Sequence, residues 1–142
     1  MNSKFATCFN CIDGRVQIPV INWITKNYEI DYVDMITEAG MDGLLANKRY
    51  DPSSVLSRLT ISINKHDSNH IFIVGHFDCG ANPVDEETHK RHIKKAVDRI
   101  KNYTLSCKVI GLWVNEFSQV EKVCENGESI KEDSSASDYV KS

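Results

Sequence analysis

The sequence predicts an α/β protein in which helices cover both faces of a mainly parallel sheet. Several apolar segments, such as residues 71–74, run without polar interruption, as strands do when both faces are buried. These segments alternate along the chain with stretches of helical periodicity, the order expected of βαβ units. The 142 residues, of which 41% are hydrophobic, suffice for one domain with its own core.

The first third of the chain is predicted to contain a strand, a helix and a second strand. Lys4–Cys11 is the first strand, ended by the Asp13-Gly14 turn. A short helix follows from Val16 to about Asn27, with its proline in the first turn, where a missing N–H costs little. Tyr32–Ile36 is the second strand. Met41–Tyr50 contains a glycine and is predicted to be a loop.

The middle of the chain carries a helix-start signature and the clearest strand. Asp51-Pro52-Ser53-Ser54 places a capping side chain beside a proline, so a helix is predicted to about Lys65. Within it, Thr60–Ile63 is also compatible with a strand. Asn69–Gly75 is rich in β-branched and aromatic residues and is predicted to be a strand.

The last third is predicted to add a long helix, a buried strand and an edge strand. Asp85–Tyr103 has one apolar stripe and is an amphipathic helix. Cys107–Phe117 is a buried strand, and Val120–Cys124 is a short edge strand beside it. The predicted domain covers residues 1–125, and the polar residues 126–142 are expected to form a disordered tail.

Composition restricts the class of protein. The formal net charge is −3, and the one basic stretch, His89–His92, is typical of a solvated helix face, so no nucleic-acid partner is expected. No apolar run approaches the roughly 18–20 residues that span a bilayer, and the N-terminus lacks the apolar segment of a signal peptide. We therefore expect a cytoplasmic protein without a membrane partner. In that reducing compartment the five cysteines indicate burial, catalysis or metal binding rather than disulfides.

Two predicted strands end in residues that bind metals. Cys11 follows the first strand, whereas His76 and Cys79 follow the strand at 69–75. If these strands are parallel neighbours, their ends lie at one edge of the sheet, where such folds place ligands. Two thiolates and an imidazole suit Zn²⁺ and leave a fourth position open. The alternative is a C-x-x-C pair of Cys8 with Cys11, which is less favoured because residues three apart on a strand point to opposite faces.

These residues carry a resemblance to a known family. The motifs Cys11-Ile12-Asp13-Gly14-Arg15 and His76-Phe77-Asp78-Cys79-Gly80, in this order and about sixty residues apart, resemble those of the β-class carbonic anhydrases. The resemblance implies a four-stranded parallel sheet with a fifth, antiparallel edge strand. It also implies zinc on Cys11, His76 and Cys79, and hydration of CO₂ to bicarbonate.

The resemblance further assigns the catalytic pair and the assembly. Asp13 would orient the attacking oxygen, and Arg15 would hold Asp13 in place. The family assembles as dimers or their multiples, so a homodimer or higher homo-oligomer is expected. The family's N-terminal helices, and a substrate-binding glutamine that they carry, have no counterpart that we can place. Two alternatives therefore stay open: a non-catalytic zinc-binding domain, and a zinc hydrolase of a small substrate such as carbon disulfide or carbonyl sulfide. His89, His92 and Asp78 are weaker candidates for moving protons.

Overall fold

A computed structural model describes residues 3–126, which form a five-stranded sheet between two layers of helices. The strands are β1 (Phe5–Asn10), β2 (Tyr32–Thr37), β3 (His70–His76), β4 (Lys108–Val114) and β5 (Val120–Asn126). Their order across the sheet is β2-β1-β3-β4-β5. The first four are parallel and β5 is antiparallel to β4, which confirms the predicted fold.

The helices divide between the two faces of the sheet. They are α1 (Gln17–Tyr28), entered through a 3-10 turn at Gly14–Val16, then α2 (Met41–Ala46), α3 (Ser53–His66) and α4 (Glu86–Lys101). Helix α1 packs on one face with Cys8, Phe72 and Val74. Helices α2, α3 and α4 pack on the other face, around Phe9 and Ile73. Side chains of each central strand alternate between these two cores, which explains why the strands read as unbroken apolar runs.

Two local predictions are settled by the structure. The loop predicted at Met41–Tyr50 is wrong over its first six residues, which form α2. Met41 and Leu45 lie four residues apart and are both fully buried, so tertiary packing stabilises a helix that the glycine at position 43 disfavours. The segment Thr60–Ile63 lies within α3 and is helical, not a strand. The buried residues Val55, Leu59 and Ser62 follow at intervals of four and three, which is the spacing of one helix face.

The basic stretch His89–His92 lies on α4 but is not wholly solvated. Arg91 is exposed, whereas His89 is only 1% exposed and packs inside the protein. Of the predicted tail, residues 127–142 lie outside the described residues. No helix among residues 3–126 is long and apolar enough to cross a membrane.

Candidate metal centre

The pairing of β1 with β3 brings the three predicted ligands together. The two strands are parallel neighbours, with Phe9 opposite Ile73, so Cys11 and His76 emerge at the same edge of the sheet. A turn after β3 returns Cys79 to that edge. One potential ligand atom from each of Cys11, His76 and Cys79 lies within 4.8 Å of the other two, and all three residues are buried.

The His76 ring has one nitrogen held and the other without a partner. Its Nδ1 lies 2.6 Å from the carbonyl oxygen of Phe77, to which it donates a hydrogen bond. This leaves the lone pair on Nε2, which is buried and has no hydrogen-bond partner among residues 3–126. Burial lowers the pKa of His76, which favours the neutral ring that binds metals. A buried, unpaired nitrogen of this kind costs free energy unless something binds it.

Backbone N–H groups surround the two sulfur atoms. The amide of Gly40 donates to Cys11 Sγ over 3.4 Å. Burial raises the pKa of the Cys79 thiol, while backbone hydrogen bonds from Ala81 and Asn82 act in the opposite direction. Such donors stabilise negative charge on sulfur, as a metal-binding thiolate requires.

The spacing of the sulfur atoms matches a tetrahedral zinc ion. Two Zn–S bonds of about 2.3 Å at the tetrahedral angle place the sulfurs about 3.8 Å apart. The Sγ atoms of Cys11 and Cys79 are 4.0 Å apart, and both cysteines are free. Together with the unpaired Nε2 of His76, this donor set fits Zn²⁺ and leaves one position of a tetrahedron open.

Asp13 and Arg15 form an ion pair in the loop that follows Cys11. Arg15 Nη2 lies 2.7 Å from Asp13 Oδ2, and its Nε lies 3.1 Å from Asp13 Oδ1. These hydrogen bonds from Arg15 are the main reason that the pKa of Asp13 falls to about 2. The Arg15 guanidinium also donates to the carbonyl of Asp78 and lies over the Phe77 ring, 4.8 Å from its centre. Asp13 is therefore a charged acceptor fixed beside the ligand loop.

Two polar residues that brace this loop were missed by the sequence analysis. Asn10 Oδ1 accepts from the amide of Cys11, and its Nδ2 donates to the carbonyl of Val16. Gln17 Nε2 donates to the carbonyls of Cys11 and Asp13 over 2.7 and 2.9 Å. The one signal in the sequence was a polar residue, Asn10, inside an apolar strand.

The remaining candidates are not members of the cluster formed by the three ligands. Cys8 is fully buried in the core beneath α1, where desolvation raises its thiol pKa, and it is not part of the ligand cluster. Asp78 is exposed and touches Arg15. His89 and His92 lie on α4, and His89 bonds to Asp42 on α2.

The fold and the site together define a class: an α/β protein with a buried Cys-His-Cys cluster, able to hold a metal ion, at the carboxyl edge of its parallel strands. The sequence adds the family. Residues 1–124 match the profile of the family described as "Putative carbonic anhydrase", and the chain belongs to this family. A search of curated proteins found no match.

Solved structures share the fold at low sequence identity. A carbonic anhydrase from Glaciozyma antarctica is 17% identical, with a TM-score of 0.56, and the match covers 83% of this chain and 81% of that one. A tetrameric β-carbonic anhydrase from Sordaria macrospora is 10% identical, with a TM-score of 0.62, and the match covers 89% of this chain and 84% of that one. The apo form of a carbon disulfide hydrolase is 15% identical, with a TM-score of 0.55, and the match covers 92% of this chain and 82% of that one. The likeness to these proteins establishes a β-carbonic anhydrase fold.

Proposed function

We propose that this protein binds one zinc ion through Cys11, His76 and Cys79 and catalyses the reversible hydration of CO₂ to bicarbonate. The observation that carries the proposal is the buried, unpaired Nε2 of His76 beside two free thiols at tetrahedral spacing. Membership of a carbonic anhydrase family supports the choice of substrate.

The residues around the site indicate what each would do in the reaction. Zinc held by Cys11, His76 and Cys79 would supply Lewis acidity, which lowers the pKa of water so that hydroxide, a stronger nucleophile towards the carbon of CO₂, becomes available near neutral pH. Asp13 accepts a hydrogen bond from the attacking water and so orients its lone pair towards the substrate. Arg15 holds Asp13 through two parallel hydrogen bonds, from Nε to Oδ1 and from Nη2 to Oδ2, and is itself restrained by Asp78 and Phe77. The reaction takes one CO₂ and one water and gives one bicarbonate and one proton, which leaves to solvent.

Stopped-flow measurement of CO₂ hydration tests the proposal, with the zinc content measured on the same sample. We expect about one zinc per chain and a rate above that of the buffer. Full zinc loading without hydration at any pH up to about 9 would reject the enzymatic role, since the water on such sites loses its proton near or somewhat above neutral pH. That outcome would favour the non-catalytic zinc-binding alternative.

Hydrolysis of carbon disulfide or carbonyl sulfide is a second candidate. It is favoured by the structural similarity to a carbon disulfide hydrolase. Both substrates are linear and cumulated like CO₂, so the same pair of Asp13 and Arg15 would serve them. Release of sulfide from carbon disulfide, measured beside CO₂ hydration on one preparation, separates the two activities.

We also propose that the protein is a homo-oligomer of a reducing compartment, the cytoplasm. Ile12, Ile18 and Phe117 are each at least 65% exposed, and the first two flank the ligand loop. Burying such apolar side chains favours self-association. The Sordaria macrospora proteins are tetrameric. Light scattering at micromolar concentration tests assembly, and a monomer contradicts it.

A further inference from the structure

A buried polar cluster lies behind the metal centre, on the opposite face of the sheet. Its core consists of Asp42 on α2, Asn82 in the turn after Cys79, and His89 on α4. Their relative exposures are 2%, 9% and 1%. The carboxyl group of Asp42 accepts from Asn82 Nδ2 over 3.1 Å and from His89 Nδ1 over 2.6 Å. Burying a carboxyl group costs free energy, so its retention inside the protein suggests a specific role for the cluster.

Three glycines leave the space that this cluster occupies. A Cβ at Gly75 would lie 2.5 Å from Asp42 Oδ2, and a Cβ at Gly43 would lie 2.7 Å from the Asn82 amide. Gly40 has a φ of +64° and approaches Ala81 so closely that its Cβ would lie 3.1 Å away. Strand β3, helix α2 and the Cys79 turn can therefore approach one another only because these positions lack side chains.

The cluster connects to both sulfur ligands through the backbone. Asn82 donates its backbone amide to the carbonyl oxygen of Cys79 over 3.3 Å and so closes the turn that carries this ligand, while its side chain is held by Asp42. Gly40 lies two residues before Asp42 and donates its amide to Cys11 Sγ. Asp42 thus fixes both the segment that carries the donor to Cys11 and the turn that carries Cys79. Groups in this position around a metal site typically change its affinity by about 10- to 100-fold.

We propose that Asp42 is a positioning residue for the metal centre: through α2 it holds the Gly40 donor to Cys11 in place, and through Asn82 it holds the turn that carries Cys79. The inference rests on the proposed zinc ligands, but not on the identity of the substrate. His89 satisfies the second oxygen of Asp42, so that both acceptors of the carboxyl group are used inside the protein.

Asp42→Asn is the sharpest perturbation because it preserves shape. The amide offers one acceptor oxygen where Asp42 has two, so one of the two present bonds is lost unless His89 moves its ring proton to Nε2 or the Asn82 amide flips. We expect the affinity for Zn²⁺, measured by competition with a chelator, to fall about 10- to 100-fold. The visible spectrum of the Co²⁺-loaded protein should change as well, because the sulfur donors shift.

Ser62→Ala is the matched control. Ser62 is 3% exposed and belongs to a second buried polar cluster with Thr7 and Asp34, away from the metal centre. Its loss should destabilise the fold while leaving the Zn²⁺ affinity and the Co²⁺ spectrum as in the parent. Gly43→Ala keeps the test open if Asp42→Asn fails to fold. Alanine at position 43 favours helix α2 by up to about 1 kcal/mol relative to glycine, but its Cβ would displace the Asn82 side chain. Gly43→Ala should therefore bind zinc more weakly although α2 itself is not weakened.

The outcomes distinguish a positioning role of Asp42 from a general contribution to the stability of the fold. Weakened binding in Asp42→Asn and Gly43→Ala, with unchanged binding in Ser62→Ala, supports a positioning role. Parent-like affinity and spectrum in Asp42→Asn overturn it. Equal weakening in Ser62→Ala also overturns it, since general loss of stability would then explain the effect. A parent protein that binds neither Zn²⁺ nor Co²⁺ overturns the proposed zinc site itself, and the inference with it.

Discussion

Replacing Cys79 and Cys8 one at a time should distinguish a zinc ligand from a residue that only packs in the core. Cys79 is 4% exposed and Cys8 is fully buried, so the two positions are comparable in burial. Replacement by serine changes the size of the side chain equally at both. Cys79 belongs to the ligand cluster, whereas Cys8 lies among apolar side chains beneath α1. The two variants should therefore differ in which property they lose.

The expected magnitudes follow from these surroundings. Cys79→Ser removes one of three donors and offers a hydroxyl, a poor ligand for zinc, so the zinc content should fall from about one per chain to nearly none. Cys8→Ser places a hydroxyl in a core that gives the Cys8 sulfur no hydrogen-bond partner among the described residues. An unsatisfied buried hydroxyl costs about 1–3 kcal/mol of the free energy of unfolding. Zinc should nevertheless stay bound to this variant.

The assay combines zinc analysis of desalted protein with denaturant unfolding of the same samples. Cys79→Ser should lose zinc, and Cys8→Ser should keep it while unfolding at lower denaturant concentration. Full zinc occupancy in Cys79→Ser, or loss of zinc from folded Cys8→Ser, would refute the assignment of ligands.

Three further predictions concern the catalytic pair, the core and a helix cap. Arg15→Ala should lower the rate of CO₂ hydration and leave zinc bound, because Arg15 contacts Asp13 and not the proposed ligands. A rate equal to that of the parent would mean that the Asp13–Arg15 pair only stabilises the turn. Gly111→Ala should destabilise the fold by about 1–3 kcal/mol, since its Cβ would collide with the Cγ2 methyl of Ile93. Ile93→Ala removes that methyl, so it should cost less stability in the Gly111→Ala background than in the parent, and strict additivity in denaturant unfolding would contradict the collision. Asp85 caps α4 by accepting from the backbone amide of Thr88, and hydrogen bonds from the side chain and the backbone of Thr88 lower the pKa of Asp85. The cap therefore stabilises the fold above pH 3.8, the ordinary pKa of the group, and loses its effect as the pH falls below that value. The difference in melting temperature between metal-free parent and Asp85→Ala should shrink accordingly, and a constant difference would exclude the charged cap.

Much of the candidate site could be predicted because its ligands sit at strand ends. Unbroken apolar runs located β1 and β3, and parallel pairing then places Cys11 and His76 at one edge. The polar residues that support the ligands could not be predicted in this way. Asp42 becomes a neighbour of the site only through the approach of distant segments, which no local pattern records. Asn10 stands directly before Cys11 in the chain, but a polar residue inside an apolar strand does not by itself indicate which groups it will bind.

Helix α2 shows the same limit for secondary structure. Its six residues include Gly43, and a short segment with a glycine reads as a loop. The helix exists because Met41 and Leu45 fill the core and Asp42 finds partners on two other elements. Tertiary contacts decided the conformation where propensity opposed it.

The separation of the ligands along the chain has a consequence for how the protein folds. Cys11 and Cys79 are 68 residues apart, and they meet only after β1 and β3 have paired. Parallel pairing of this kind requires closure of a long loop and is therefore slow to nucleate. During synthesis, a ribosome must release residues through Cys79 before the cluster can assemble, so an emerging chain carries its first thiols, Cys8 and Cys11, without their final neighbours. Binding of the proposed zinc ion would then follow the pairing of β1 with β3 and would not nucleate the fold.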